Sequence, residues 1–273
     1  MSDIVLSAGV RANLLQLQQT SDLITQTQNR LATGKKVNSA LDNAINFFTA
    51  QGLDTRANNL NSLLDSMSNG INTIQAANNG ITSITKLVQS AQALVSQAQQ
   101  ANNTTTQASL ATQYGTLITQ ITQLAKDSGF NGVNLLAGNT LTVTMNETAT
   151  STVSVAGVDY TNATAGPLSL NAAASNWASS ANITAASTDL SAALTSLQSE
   201  SQTLSSSLST VQIRQDFTKA MVNTLQSGSA NLTLADSNAE GANLLALQTR
   251  QQLSSTALSL AAQADQNVLR LFR

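Results

Sequence analysis

The chain contains no cysteine and no histidine, a single proline, and few aromatic side chains: one tryptophan, two tyrosines and five phenylalanines among 273 residues. Each shortage removes a class of function. Without cysteine, neither disulfides nor thiolate chemistry can contribute, a composition compatible with export. Without histidine, the commonest general base and the commonest zinc ligand are both gone. Charged residues make up 10% of the chain, against about 25% in ordinary soluble domains. The 12 basic and 14 acidic residues leave no positive surplus to neutralise phosphates, so no nucleic-acid partner is expected. The first ten residues show no basic segment followed by an apolar run, so a cleaved signal peptide is not expected. No run of about 18 apolar residues occurs, so no membrane insertion is expected.

Alanine, serine, threonine, asparagine, glutamine and leucine fill the space instead. Such a mixture suits long helices packed closely through small residues. Low net charge also leaves little repulsion between copies. An enzymatic reading finds no support. Serine and threonine hydroxyls abound, but no histidine can activate them. Glu147, Glu200 and Glu240 are scattered over different elements, so no paired-carboxylate site suggests itself. The phosphate-binding glycine loop is missing too. No catalytic, cofactor-binding or metal-ligating residue is nominated, and no cofactor is expected.

Periodicity carries the positive argument. Val10, Leu17, Ile24 and Leu31 recur every seven residues, with Leu14 between the first two. Leu53, Leu60, Met67, Ile74, Ile81, Val88 and Val95 continue the interval, supported by Ala57, Leu64 and Ile71. A helix over about residues 43–101 would be roughly 85–90 Å long. The second half repeats the signal with Ile183, Leu190, Leu197, Leu204, Val211 and Leu225, where only Thr218 interrupts; Leu194, Leu208 and Val222 supply a second row. Sustained seven-residue spacing means helices that supercoil around partners.

The breaks are equally legible. Gly34 suits a helix C-terminus, and Asn38, Ser39 and Asp42 offer caps for the long helix. Residues 102–106 read as a turn, with Thr104 and Gln107 as a capping box. The helix that follows should bury Leu117, Ile118, Ile121 and Leu124 and stop at Ser128-Gly129. Gly228 should interrupt the next helical region. Ser237 with Glu240 forms a second capping box, opening a last helix to about Leu271 with a stripe of Leu253, Ala257, Leu260, Ala264, Val268 and Leu271. Between these halves Leu141, Val143 and Met145 alternate with polar residues, as do Val153 and Val155. A β-hairpin is therefore predicted within 139–182, as an exposed tip, with Pro167 just beyond. The fold class expected is mainly α: an elongated antiparallel helical coiled-coil bundle with a small β-hairpin region at the middle of the chain.

Against that framework the motif Leu31-Ala32-Thr33-Gly34-Lys35-Lys36-Val37-Asn38-Ser39-Ala40-Leu41-Asp42-Asn43-Ala44 resembles the stretch after the first helix of bacterial flagellins. Asn69-Gly70-Ile71, the element Phe130 to Leu136, and the endings from Leu234-Ala235-Asp236 to Gln266-Asn267-Val268-Leu269 and Leu271-Phe272-Arg273 match as well. The resemblance spans nearly the whole chain and implies a short form without outer domains. It implies inner filament core helices at 1–40 and 231–273. Outer core helices would occupy 41–138 and 183–230, joined through the hairpin and exposed connection at 139–182. The implied function is a structural subunit that polymerises into the flagellar filament used for motility; the alternative is the hook–filament junction adaptor of the same axial family.

Implied partners are the chain itself, other flagellins, the hook-associated junction and cap proteins, the flagellar export apparatus and an export chaperone. The implied location is extracellular, after secretion through the flagellar export channel. A chemoreceptor-like signalling hairpin is a poorer fit, since it calls for glutamate-rich methylation sites and a helical tip. Many flagellins are detected by a toll-like receptor through a charged helix stretch. The aligned segment, Ser90-Ala91-Gln92-Ala93-Leu94-Val95-Ser96-Gln97, lacks those charges, so weak recognition is implied.

Single residues have plainer readings. The terminal helices are thin in large side chains and are expected to order only on assembly. Asp236 and Glu240 at the start of the last helix, with Arg270 and Arg273 at its end, suit the helix dipole. Arg30 and Asp42 could form an ion pair worth about 0–1 kcal/mol. Lys35 and Lys36 suit either an intersubunit contact or a solvated loop. Trp177 and Tyr160 read as packing residues of the hairpin region, and the sequons at Asn146 and Asn182 as chance occurrences. Serine or threonine glycosylation within 139–189 is compatible with the resemblance, at no assignable residue.

Overall fold

A computed structural model describes residues 8–271, without the side chains of Asp265 and residues 268–271. The features expected at Val268, Arg270, Leu271, Phe272 and Arg273 lie outside the described side chains. Helices dominate: α1 (Ala8–Thr33), α2 (Ala44–Gln100), α3 (Thr104–Asp127), α4 (Ser180–Thr233) and α5 (Ser237–Leu271), with strands β1 (Leu141–Thr144) and β2 (Thr152–Val155) in the middle. The two strands pair antiparallel, from Leu141 opposite Val155 to Thr144 opposite Thr152. The chain forms two compact units, one from Met1–Thr55 with Thr224–Arg273, the other from Arg56–Asn223.

The second unit holds the contiguous hydrophobic core, whose fully buried members all fall between Met67 and Val211. The seven-residue rows explain it. Leu60, Met67, Ile74, Ile81, Val88 and Val95 of α2 are buried, as are Ile183, Leu190, Leu197, Leu204 and Val211 of α4. Gln215 Nε2 donates to Ser68 Oγ at 2.9 Å, and one groove is lined by Ile81 and Thr85 together with Leu194 and Leu197. As numbers rise along α2 they fall along α4, so the helices run antiparallel. α3 adds Leu110, Tyr114, Ile118, Ile121 and Ala125, whereas Leu117 and Leu124 are only half-buried.

The hairpin region is not a free tip. Val143, Met145, Val155, Tyr160, Leu168, Leu170 and Trp177 are all buried in the same core, while the turn at 147–150 is exposed. Apolar residues on the inner face of each strand give the segment something to bury, and α2 offers glycines to receive it. A Cβ at Gly70 would lie 2.6 Å from Val143 Cγ2, and one at Gly80 would lie 2.7 Å from Leu136 Cδ1. At the far end Arg56 Nε meets Glu147 Oε1 at 2.8 Å. The segment thus lies along α2 from Gly80 towards Arg56. The Tyr114 and Trp177 rings pack at 5.0 Å between centres, tilted by 50°.

Several caps differ from expectation. Asn43 Oδ1, not Ser39 or Asp42, accepts from the Asn46 N–H at the start of α2. Asn103 caps α3 by accepting from Thr105 N, while Gln107 Nε2 reaches back to the carbonyls of Ala98 and Ala101. Asp236 caps α5 through Asn238 N and Ala239 N. Asparagine, aspartate and serine cap about equally well, so position decides: Asn43, Asn103 and Asp236 each stand immediately before the first helical residue. Gly228 does not break α4, which continues to Thr233; an added Cβ there would meet Leu53 Cδ1 at 3.4 Å. Thr218 likewise does not interrupt the buried row: it is buried, with its hydroxyl satisfied by the Arg214 carbonyl at 2.9 Å.

Candidate assembly surface

In the first unit α1 pairs with α5. Arg30 Nη1 bonds Glu240 Oε1 at 3.1 Å, and Leu23, Gln26, Thr27 and Arg30 line one groove with Glu240, Asn243, Ala246, Leu247 and Arg250. The two helices therefore run antiparallel. Arg30 takes Glu240 as its partner rather than Asp42, because pairing brings the starts of α5 and the last turn of α1 together. Asp42 instead turns inward on its own loop: its Oδ2 accepts from Asn38 N at 2.9 Å and Ser39 N at 3.0 Å. Those bonds, Asn38 first, hold the Asp42 carboxyl below its ordinary pKa.

The loop after α1 is stitched to the α4–α5 junction. Gly34, at φ 67°, turns the chain out of α1, and its carbonyl accepts from Ala235 N at 3.0 Å. Lys36 N donates to the Thr233 carbonyl at 2.7 Å, and Lys36 Nζ to the Asn231 carbonyl at 3.4 Å. Lys35 pairs its backbone with Leu234. The lysine pair thus has a structural role within one chain.

α5 carries two apolar seams. Leu244, Leu247 and Leu258, with Gln251 and Ser254 between them, are half-buried. The expected stripe of Leu253, Ala257, Leu260 and Ala264 is exposed instead. At 3.6 residues per turn the two rows are offset by one residue, about 100° around the helix. α1 packs along one row, and among the described residues nothing covers the other. α1 leaves Leu14, Leu15 and Leu23 exposed, and buries only Val10, Thr20, Ile24 and Thr27. The first unit contributes no member to the contiguous core, yet holds most of the exposed large apolar side chains.

Among the described residues the three glutamates lie apart from one another. Glu147 is held below its ordinary pKa by its own backbone N–H and by Arg56, Glu200 is raised by burial in the second unit, and Glu240 is committed to Arg30. Among the described residues no group of three potential metal ligands occurs. No described helix is long and apolar enough to cross a membrane. Arg30–Glu240 and the second seam of α5 escaped the sequence reading. The 3-4 spacing of Leu244, Leu247, Gln251, Ser254 and Leu258 would have been the signal, but its polar members masked it.

The α1–α5 pair is thus all-helical, with one seam filled and one left open by the described residues. The comparisons name the class. Residues 8–140 match the bacterial flagellin N-terminal helical region. Over the whole chain it is 31% identical to the flagellin FljM of Caulobacter vibrioides, covering 99% of that protein. It is 30% identical to FljK of the same organism over 99% of that protein, and 26% identical to a Brucella melitensis flagellin over the full length of both. The chain belongs to the bacterial flagellin family. That family is structural: its members polymerise into the flagellar filament, outside the cell.

Proposed function

We propose that copies of this chain build the filament by covering one another's open α1 and α5 faces, and that this ordering of the chain ends is what couples folding to assembly. The open seam of α5 carries the reading. A helix pair with many of its leucines in water gains little on its own; each leucine that a neighbouring copy covers contributes about 1.5–3 kcal/mol. Residues 1–40 and 231–273 then form the inner core layer of the filament, and 41–138 with 183–230 the outer core layer, joined through 139–182. The role is structural, without catalysis, in keeping with a chain that has no histidine and no cysteine.

Loosely held ends also suit passage of a thin, unfolded chain through the flagellar export channel, with an export chaperone guarding the apolar ends beforehand. Companion flagellins and the hook-associated junction and cap proteins would meet the same faces at the filament's ends. Recognition by a toll-like receptor is weak in this reading. Within 90–97 the side chains Ala91 and Val95 are buried and the exposed ones, Ser90, Ala93, Ser96 and Gln97, are uncharged. A reporter-cell assay with purified monomer should give little activation; full activation would refute this part.

The main test seeds heat-dissociated monomer with filament fragments and records far-ultraviolet circular dichroism before and after, with electron microscopy of the pellet. Long uniform tubes with a gain in helicity are expected. A fully helical, soluble oligomer that never elongates would overturn the proposal.

A further inference from the structure

Two further apolar patches stand apart from the α1–α5 pair, one on each compact unit. In the first unit Leu41, Ile45 and Phe48 are 98%, 80% and 60% exposed. Ile45 and Phe48 stand three residues apart on one face of α2, and Leu41 lies in the turn just before the helix. Phe48 is not a loose ring: Phe47 meets it edge-on at 5.5 Å and 77°. One turn further along stands Gly52, inside α2, with nothing within 4 Å of an added Cβ and no positive φ. Glycine at such a position costs about 1 kcal/mol relative to alanine, and no described residue calls for it. A backbone from outside, approaching closely over Gly52, would.

In the second unit Ile213 and Phe217 on α4 are 66% and 57% exposed, one turn apart. Around them Ser209, Thr210 and Ala220 are small and exposed, so a second helix can lie close. The charges at the two patches are opposite. Between residues 37 and 55 the only charged side chains are Asp42 and Asp54. Asp42 adjoins Leu41, and the hydrogen bonds to its carboxylate keep it anionic. Beside Ile213 stands Arg214, which has no ion pair among the described residues, and Lys219 lies one turn on, paired to Asp216 at 3.6 Å.

We propose that the Leu41/Ile45/Phe48 face of one copy docks on the Ile213/Phe217 face of the next, with Asp42 of the first set against Arg214 of the second. The occupant is a second copy of this chain, because each patch finds on the other surface both its apolar counterpart and its opposite charge. The two surfaces differ, so the contact is heterologous: every copy offers one patch to the copy before it and the other to the copy after it. Such a contact does not close on itself in a dimer. It extends, and it fixes the spacing between successive copies along the polymer. The inference rests on the filament reading above and assigns it one specific contact.

The chain has no cysteine, which makes the test direct. Ile45→Cys and Ile213→Cys are made singly and together, polymerised, and treated with a short bis-maleimide. Filaments of the double variant should give a ladder of dimers, trimers and higher species on a denaturing gel. Co-polymers of the two single variants should stop at dimers, and each single variant alone should stay monomeric. Doping the single variants into excess wild-type chain keeps the test valid if the double variant assembles poorly; the dimer is then still expected.

Three results overturn the contact. One is normal filaments without any crosslink, with both thiols open to a monofunctional maleimide. Another is dimer formation by either single variant alone. The third is crosslinking within one chain in dilute monomer. Failure of the filament reading itself looks different: wild-type chain would then not polymerise at all.

Discussion

Gly80 offers the sharpest test of how the second unit is packed. A methyl group placed there would overlap Ser128 Oγ and lie 2.7 Å from both Ser128 Cβ and Leu136 Cδ1. Neither neighbour can step aside at low cost. The Ser128 hydroxyl donates to the Leu124 carbonyl at 2.6 Å, and Leu136 is fully buried. Overpacking a filled site costs about 1–3 kcal/mol, and disturbing the Ser128 bond about another 1 kcal/mol. Against this, replacing glycine by alanine in a helix gains about 1 kcal/mol. Gly80→Ala should therefore destabilise the unit by about 1–3 kcal/mol, lowering the melting temperature by about 2–12 °C at 2–4 °C per kcal/mol.

Gly115 in α3 is the internal control, because an added Cβ there meets nothing within 4 Å. Gly115→Ala should raise the melting temperature by about 2–4 °C. Thermal unfolding of monomer is followed through Trp177, the only tryptophan and fully buried in this core. If Gly80→Ala melts as high as Gly115→Ala, the account of the hairpin region seated against α2 is wrong.

Burial pushes Tyr114 and Tyr160 up to about 12. Their neutral forms are thus favoured in the folded state, a contribution fully present below the ordinary tyrosine pKa of about 10 and lost as pH rises through about 12, together worth up to about 3 kcal/mol after allowing for solvent screening. Trp177 fluorescence should report unfolding in that window, and an unchanged alkaline midpoint in the doubly Phe-substituted chain would refute it. Leu253→Ser with Leu260→Ser should leave monomer stability within about 0.5 kcal/mol but raise the critical concentration for polymerisation at least about tenfold, as measured by sedimentation. Glu240→Ala strands Arg30 and should loosen the α1–α5 pair by about 1–3 kcal/mol. Hydrogen exchange in filaments should then accelerate across the last turns of α1 and stay unchanged in α3.

Rows of identical spacing were the legible part of the chain. Leu60 to Val95 and Ile183 to Val211 could be assigned to one core because a buried seam tolerates few polar residues, so its period survives in the sequence. Thr218 shows the limit: a threonine can hold a buried place when its hydroxyl bonds back to the preceding turn, and a polar letter then looks like a gap. The caps were harder, because Asn43, Asn103 and Asp236 each stand beside other capable residues and backbone geometry alone decides among them.

The hairpin's strands were readable from alternation, but its burial against α2 was not. That depends on Gly70 and Gly80, which in sequence resemble ordinary weak points of a helix. On α5 the row of Leu253, Ala257 and Leu260 was visible, whereas the row facing α1 contains Gln251 and Ser254. The more apolar row is the one left in water, the reverse of the usual rule for a self-sufficient fold.

The turn between β1 and β2 closes on itself. Met145 N donates to the Ser151 carbonyl at 2.8 Å, Asn146 Oδ1 accepts from Ser151 N at 3.0 Å, and Asn146 Nδ2 reaches Thr148 and Thr150. Its two stems are therefore held side by side whatever the loop between them contains. Extra chain spliced in after Thr148 would begin and end at nearly the same point, leaving the Arg56–Glu147 pair intact, and each doubling of its length would add only about 0.6 kcal/mol of closure cost. A peptide epitope or a small passenger domain carried there would be repeated on every copy, turning the polymer into a regularly spaced display scaffold.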